Sequence, residues 1–249
     1  MSFLNLLVKT AFTNLGNTDL FMSFLNFSLT GKCSIRNLDA VVTSVEGNNL
    51  GKNKALVFKN EWVWEVDISS GNILGGPKKI VDLFGKKDLS NKYPFKVVLY
   101  EHVYNTYLFM SKDGFVVLHD DPYFSLDTKK NYNNSRSHFR FLINTSTPLD
   151  AGFADPDQYE IYHFFRGSEY IEYNAYTFKE VTKYDYVKAI NTEWPGVPSD
   201  LDAAYYNYAE KAYYFIKEDQ FYKFVKDKSK LVYHSVGVLS DIFKNICTV

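Results

Sequence analysis

The chain offers few side chains in the spacings that catalysis requires. No His-Glu-x-x-His, Gly-x-Ser-x-Gly, phosphate-loop or Cys-x-x-Cys motif occurs in its 249 residues. Zinc-protease, serine-hydrolase, nucleotide and dithiol chemistry therefore have no recognisable local signature. The scattered Asp and Glu residues do not separate from an ordinary solvated surface. We predict that the protein is not an enzyme.

Three other residue types could bind a ligand or carry a covalent group. An imidazole on an aromatic strand, such as that of His163, is more often a packing residue than a ligand. Acceptor sequences for N-glycosylation begin at Asn26, Asn133 and Asn144, a number that chance alone would give. The two cysteines are Cys33 and Cys247, and the five histidines are His102, His119, His138, His163 and His234.

Composition limits the class of protein. Lys+Arg is 28 against Asp+Glu 29, and this balance argues against a nucleic-acid binder, which needs a basic surplus. The aromatic content of 18%, with 20 Tyr and 21 Phe, favours strands. No apolar stretch approaches ~20 residues, so no membrane-spanning helix is predicted. The apolar run at 3–8 lacks a basic leader and a cleavage site, so no signal peptide is predicted.

Four stretches of the chain read alike, and each begins with a short motif. Leu-Asp-Ala occurs at 38–40, 149–151 and 201–203, and Phe-Lys-Val stands at 95–97. The openings lie roughly 50–60 residues apart, a period typical of propeller blades. A small residue after the opening predicts innermost strands that converge on one axis, a rule that Val97 strains. The four opening residues are Asp39, Lys96, Asp150 and Asp202.

Each repeat predicts two strands, a tight polar turn and a third strand. The turns are expected at 59–61, 111–114, 166–168 and 217–219. Segments with apolar residues at a spacing of three and four predict short closing helices at 77–84, 186–194 and 238–246. The tail of the second repeat, at 120–147, is polar and indicates a long loop.

These features resemble the hemopexin-like repeat family. The resemblance rests on the Asp-Ala openings, the aromatic run at 213–224 and the segment at 194–204, whose Pro-Gly-Val-Pro junction is similar to matrix metalloproteinase hemopexin domains. The segment at 73–80 is similar to plant albumin-2. The resemblance implies an all-β, four-bladed β-propeller with short helices closing blades, over residues 33–247. The blades are expected at about 35–92, 93–146, 147–198 and 199–247, after an N-terminal extension, a possible half-repeat, at 1–32.

The resemblance also implies a ligand site. In the family, backbone carbonyls of the opening residues hold a cation in the central channel, so those of Asp39, Lys96, Asp150 and Asp202 are expected to bind calcium or sodium. The alternative is that these residues only order the inner strands. A disulfide between Cys33 and Cys247 would tie the first blade to the fourth, unless the two are unrelated buried thiols.

Two functions remain open from the sequence. The first is a non-catalytic, secreted or extracellular module that binds a protein or matrix component, without a clear signal peptide. The alternative is a stand-alone haem or polyamine binder of the albumin-2 type, with His138 and His163 as haem candidates. A single propeller disfavours haem, because serum hemopexin holds its haem between two. The many Tyr residues indicate either a protein-binding face or blade packing.

Overall fold

The computed structural model describes residues 36–43, 50, 53–85, 89–90, 92–101, 106–111, 114–119, 148–158, 160–174, 187–227, 230–244 and 246, all within one compact unit at 34–249. In this part the chain is all-β with three short helices. The predicted fold class is confirmed to that extent. None of the described helices is long and apolar enough to cross a membrane.

The described residues form four antiparallel sheets, each built from strands that follow one another along the chain. The first sheet contains β1 (Ala40–Thr43), β2 (Lys54–Lys59), β3 (Trp62–Asp67) and β4 (Ile73–Lys79), and the second contains β5 (Val97–Glu101), β6 (Thr106–Ser111) and β7 (Gly114–His119). The third contains β8 (Ala151–Ala154), β9 (Ile161–Arg166), β10 (Glu169–Asn174) and β11 (Val187–Ala189). The fourth contains β12 (Ala203–Asn207), β13 (Ala212–Lys217), β14 (Gln220–Asp227) and β15 (Lys230–Val238).

The sheets pack face to face around their first strands. β1 contacts β5, β5 contacts β8, β8 contacts β12, and β12 contacts β1. Four apolar clusters fill the spaces between the first and second, second and third, third and fourth, and fourth and first sheets. Each sheet is therefore covered by neighbours on both faces.

This packing explains the residue types along each sheet. The second strands β2, β9 and β13 are buried along nearly their whole length, because both faces meet a neighbouring sheet. The sequences of such strands are continuous runs of Tyr, Phe, Val and Ile, without alternation of apolar and polar residues. The outermost strands β4 and β15 instead alternate between half-buried and exposed positions.

The helices are α1 (Ile80–Phe84), α2 (Ile190–Glu193) and α3 (Leu239–Ile242). Each begins at a buried apolar residue whose backbone N–H donates to a hairpin turn of the same sheet. Ile80 donates to the carbonyl of Glu61 at 2.9 Å, and Ile190 donates to that of Ser168 at 2.9 Å. Leu239 donates to the carbonyl of Asp219 at 2.7 Å. The first residue of each helix is thus hydrogen-bonded to one of the predicted hairpin turns.

The predicted helical segments are wrong in their first residues. Pro77–Lys79 belong to β4, the described part of the segment before Ile190 belongs to β11, and Val238 ends β15. The repeats predict three strands each, whereas three of the sheets have a fourth, outer strand. No position in these outer strands is fully buried, so they lack the continuous aromatic pattern of the inner strands.

Candidate functional site

The four opening residues occupy equivalent places in the four sheets. The backbone N–H of each donates to a carbonyl at the end of the second strand of its own sheet. The acceptors are Phe58 at 3.0 Å for Asp39, Met110 at 2.9 Å for Lys96, Phe165 at 2.8 Å for Asp150, and Ile216 at 2.9 Å for Asp202. Because the first strands that follow them contact one another, the opening residues lie around one end of these strands.

The three opening aspartates hold hairpin turns. Oδ2 of Asp39 accepts the backbone N–H of Asn60 at 2.5 Å, and Oδ2 of Asp150 accepts that of Gly167 at 2.5 Å. Oδ2 of Asp202 accepts the N–H of Glu218 at 2.5 Å. Hydrogen bonds of a carboxylate to backbone N–H groups are among the stronger ones in proteins.

The first residue of each of these turns has a left-handed backbone, which is strained at Asn60 and Glu218 but not at Gly167. The φ angle is 51° at Asn60, 57° at Gly167 and 57° at Glu218. Only glycine adopts this region without a steric cost. The capping role of the carboxylates was not predicted from the sequence, although an Asp placed two strands before each of these turns is the signal for it.

Lys96 departs from this pattern, because its ammonium group contacts the opening residue of the first sheet. Its Nζ lies 3.5 Å from Oδ1 of Asp39, whose side chain is only 5% exposed. The ammonium of Lys59 lies 3.9 Å from the same oxygen. The buried carboxylate of Asp39 therefore has its second oxygen occupied by positive charge.

Asp150 is the other neighbour of Lys96 in chain order. Burial raises the pKa of Asp150 above its ordinary value, and the charge of Asp200 raises it further. The hydrogen bond from Gly167 and the positive charges of Lys96 and Lys217 act in the opposite direction without cancelling the effect of burial on this pKa. Lys96 thus interacts electrostatically with carboxylates on both adjacent sheets.

The residues after the openings pack into the spaces between sheets. Ala40, Val97, Ala151 and Ala203 are all buried, and each belongs to the cluster between its own sheet and the next. Val97 is larger than its three counterparts, and Gly152 compensates for it. A Cβ at Gly152 would lie 3.2 Å from Cγ1 of Val97.

A cavity of about 30 Å³ lies at the far ends of the first strands. Its walls come from β1, β5, β8 and β12, with Tyr208 beyond the last of these. Thr43 spans two sheets here, since its Oγ1 donates to the carbonyl of Tyr206 at 2.9 Å. The cavity has room for a water or a single ion, but it is far smaller than the ~300–1,000 Å³ that drug-sized ligands occupy.

His163 lies in a buried polar chain within the third sheet. Nε2 of His163 is 2.8 Å from Oδ2 of Asp155, and Nδ1 is 2.7 Å from the hydroxyl of Tyr170. The Tyr170 hydroxyl in turn donates to Glu172 at 3.2 Å. The imidazole lies parallel to the ring of Tyr170, and Phe153 is 4.8 Å away between centroids.

Both ring nitrogens of His163 are therefore engaged, and iron ligation would break one of these hydrogen bonds. Burial and the charge of Glu172 raise the pKa of Tyr170 far above its ordinary value, so its hydroxyl stays protonated at neutral pH. Burial raises the pKa of Asp155, but the contact with His163 and the hydrogen bonds from the backbone of Asp157 and Gln158 outweigh burial and lower this pKa overall. These contacts stabilise the third sheet from within. The sequence pattern did not identify Asp155 and Tyr170 as the partners of His163.

The residues around the openings do not fit a divalent cation held by side chains. The three opening carboxylates already accept backbone N–H groups of the turns, and the remaining opening residue, Lys96, has an ammonium group. Within the described ranges, no three His, Cys, Asp or Glu residues group as metal ligands. The expected cation at the backbone carbonyls stays a prediction.

Several predicted sites lie outside the described residues. They are the disulfide pair Cys33 and Cys247, the haem candidate His138 and the glycosylation sites Asn26, Asn133 and Asn144. The extension at 1–32 and the expected loop at 120–147 lie there as well.

The exposed large apolar side chains of the described residues concentrate on one strand. Val232, Tyr233, Val236 and Val238 on β15 are 43–48% exposed, and Leu74 on β4 is 52% exposed. β15 pairs with β14 on one edge, and no described strand pairs with its other edge. An edge of this kind offers free backbone hydrogen-bonding groups next to apolar side chains.

Comparison with known proteins links the chain to one fold family. No model of a known protein family matches it. Matrix metalloproteinase-21 of Mus musculus is 30% identical over 88 residues, which are 34% of this chain and 16% of that protein. Matrix metalloproteinase-21 of Homo sapiens is 28% identical over 85 residues, 32% of this chain and 15% of its own length. The chain thus spans only a small part of these relatives.

Solved structures match most of the chain. A plant albumin from Cicer arietinum showing hemagglutination has a TM-score of 0.64 at 18% identity, covering 83% of this chain and 95% of its own. A plant lectin with two metal binding sites, also from Cicer arietinum, has a TM-score of 0.64 at 16% identity, covering 83% and 95%. The hemopexin fold protein CP4 from cow pea has a TM-score of 0.64 at 13% identity, covering 84% and 96%. The predicted resemblance is confirmed, and the chain has a hemopexin-like fold.

Proposed function

We propose that the chain is a closed, four-bladed propeller that acts as a secreted, non-catalytic module for binding a protein or matrix component. The opening carboxylates and the buried chain around His163 are all used inside the fold. On the described surface, the edge strand β15 exposes apolar side chains that a partner could contact. The exposure of these side chains is the observation that supports the proposal.

The shape of β15 favours an extended protein segment as its partner. The strand has nine residues, and Val236 and Val238, two positions apart, expose apolar side chains on one face. The irregular pairing between Lys223 and Phe224 places Val232 on the other face. A peptide that adds a strand to such an edge gains main-chain hydrogen bonds, and alternate side-chain contacts give specificity. Lys230 and His234 are exposed on the same strand, so the preferred segment is apolar with an acidic residue near one end.

Binding of the purified full chain to immobilised collagen, fibronectin and laminin tests the proposal. We expect saturable binding to at least one of them, weakened about tenfold or more by the double variant Val236→Lys, Val238→Lys. Val236→Lys alone is compared with Leu74→Lys as the matched control, because each places one lysine at a comparably exposed apolar position, the control on another sheet. Absence of saturable binding, or equal loss in the control, would overturn the proposed surface.

The haem or polyamine alternative has its own readout. Haem added to the full chain should leave the Soret band as it is in buffer, and spermine should release no heat of binding in calorimetry. A stoichiometric Soret shift or a saturable spermine isotherm would favour the small-ligand function instead. The small size of the central cavity argues for the negative result.

A further inference from the structure

The second sheet differs from the other three at the position where the fold family implies a channel cation. Three opening residues are aspartates that cap a turn of their own sheet, whereas the fourth is Lys96. The backbone of Lys96 keeps the same hydrogen bond as the others, at 2.9 Å to Met110. The substitution therefore changes the charge at this end of the first strands without changing the fold there.

We propose that the ammonium of Lys96 takes the place of the channel cation, so that this chain joins its opening residues without a metal ion. The inference goes beyond the binding function and does not depend on it.

The contacts of Lys96 support this role. A channel cation would lie near the openings of all sheets and offset the negative charge of their carboxylates. Nζ of Lys96 reaches Oδ1 of Asp39 on the preceding sheet at 3.5 Å, and its charge also acts on Asp150 of the following sheet. Lys96 thus interacts with the carboxylates of both neighbouring openings, as a shared cation would.

The same lysine opposes a divalent ion. With a lysine in place of a fourth aspartate, the formal negative charge of the four openings is half of what four aspartates would give. The ammonium also adds a positive charge at this end of the first strands, and a positive charge disfavours a second cation nearby. The ammonium sits on its own chain, so no ion has to be recruited from solution.

Metal binding and metal-dependent stability of the full chain test the proposal. After treatment with EDTA, wild-type protein should give no saturable heat with calcium, no sensitised terbium luminescence, and the same Tm in calcium as in EDTA. Lys96→Asp places an aspartate at all four openings, so this variant should bind calcium at one saturable site. Its Tm should fall when EDTA is added. Lys96→Met is the control that removes the positive charge and adds no carboxylate, and its Tm in EDTA should be lower than that of wild type.

Three results would overturn the proposal. The first is a saturable calcium site in the wild-type protein with the affinity of Lys96→Asp. The second is a folded Lys96→Asp variant that gains no metal dependence. The third is a Lys96→Met variant as stable as wild type. If Lys96→Asp does not fold without metal, its yield of folded protein is compared after refolding with and without calcium. Only a yield that depends on calcium agrees with the proposal.

Discussion

Gly152 is the position where the packing of the first strands makes the sharpest prediction. A methyl group there would lie 2.8 Å from Cδ1 of Phe164, 2.9 Å from the backbone oxygen of His163 and 3.2 Å from Cγ1 of Val97. Phe164 and Val97 are completely buried, so neither can turn into solvent. Overpacking a core costs about 1–3 kcal/mol, and Gly152→Ala should lower the free energy of unfolding by about 2 kcal/mol.

The expected loss is measurable by urea unfolding or as a fall in Tm of about 4–8 °C for a chain of this size. Gly75→Ala is the matched control, because the nearest atom to its new Cβ would be 3.9 Å away, an ordinary contact. Its stability should stay within about 0.5 kcal/mol of wild type, the usual range for surface substitutions.

Val97→Ala tests whether Gly152 compensates for the larger side chain. Alone, Val97→Ala removes buried methyl groups and should cost about 2–3 kcal/mol. In the double variant one of the three close contacts at Gly152 disappears, so the combined loss should be smaller than the sum by about 0.5–1 kcal/mol. Strict additivity, or a Gly152→Ala variant as stable as wild type, would refute the reasoning.

Three further predictions concern the turns and the buried polar chain. Asp150→Asn keeps an oxygen for the N–H of Gly167 while removing a buried charge, so urea unfolding should show a smaller loss than the ~1.5–3 kcal/mol expected for Asp150→Ala. Because the pKa of Asp155 is lowered in the fold, its contribution is present above the unfolded pKa of about 3.9 and is lost as pH falls through the lower folded value. The Tm of Asp155→Asn should therefore vary less with pH in that acid range than that of wild type. Gly167 and Glu218 share a φ of 57°, so Gly167→Glu should cost about 1 kcal/mol and Glu218→Gly should gain up to that amount, as measured by thermal unfolding.

The sequence predicted the parts of the fold that depend on local pattern. The described turns at Asn60, Gly167 and Glu218 connect second and third strands where the polar residues interrupt aromatic runs. The helices are present but begin later than predicted, because Pro77 and its neighbours form a strand at the outer edge of the sheet. An exposed edge strand needs no apolar pattern, so hydrophobic periodicity does not detect it.

The side-chain interactions were less accessible from sequence. Asp39 and Asn60 are far apart along the chain, and only the pairing of β1 with β2 brings the carboxylate to the turn. Asp155, His163 and Tyr170 likewise meet through the register of the third sheet. Lys96 was recognised as a departure from the repeat, but its contact with Asp39 depends on how two sheets pack.

Two tryptophans occupy opposite faces of the fourth sheet. Trp64 lies in the cluster shared with the first sheet and Trp194 in the cluster shared with the third, and they are 1% and 2% exposed. An indole in such a dry setting emits at shorter wavelength than one in water, and its emission shifts to the red when the contact opens. Variants that keep one of these two fluorophores, with Trp62 also replaced, would report each face separately. Simultaneous red shifts during unfolding would mean that the fourth sheet detaches from both neighbours in one step, and staggered shifts would give the order in which the interfaces separate.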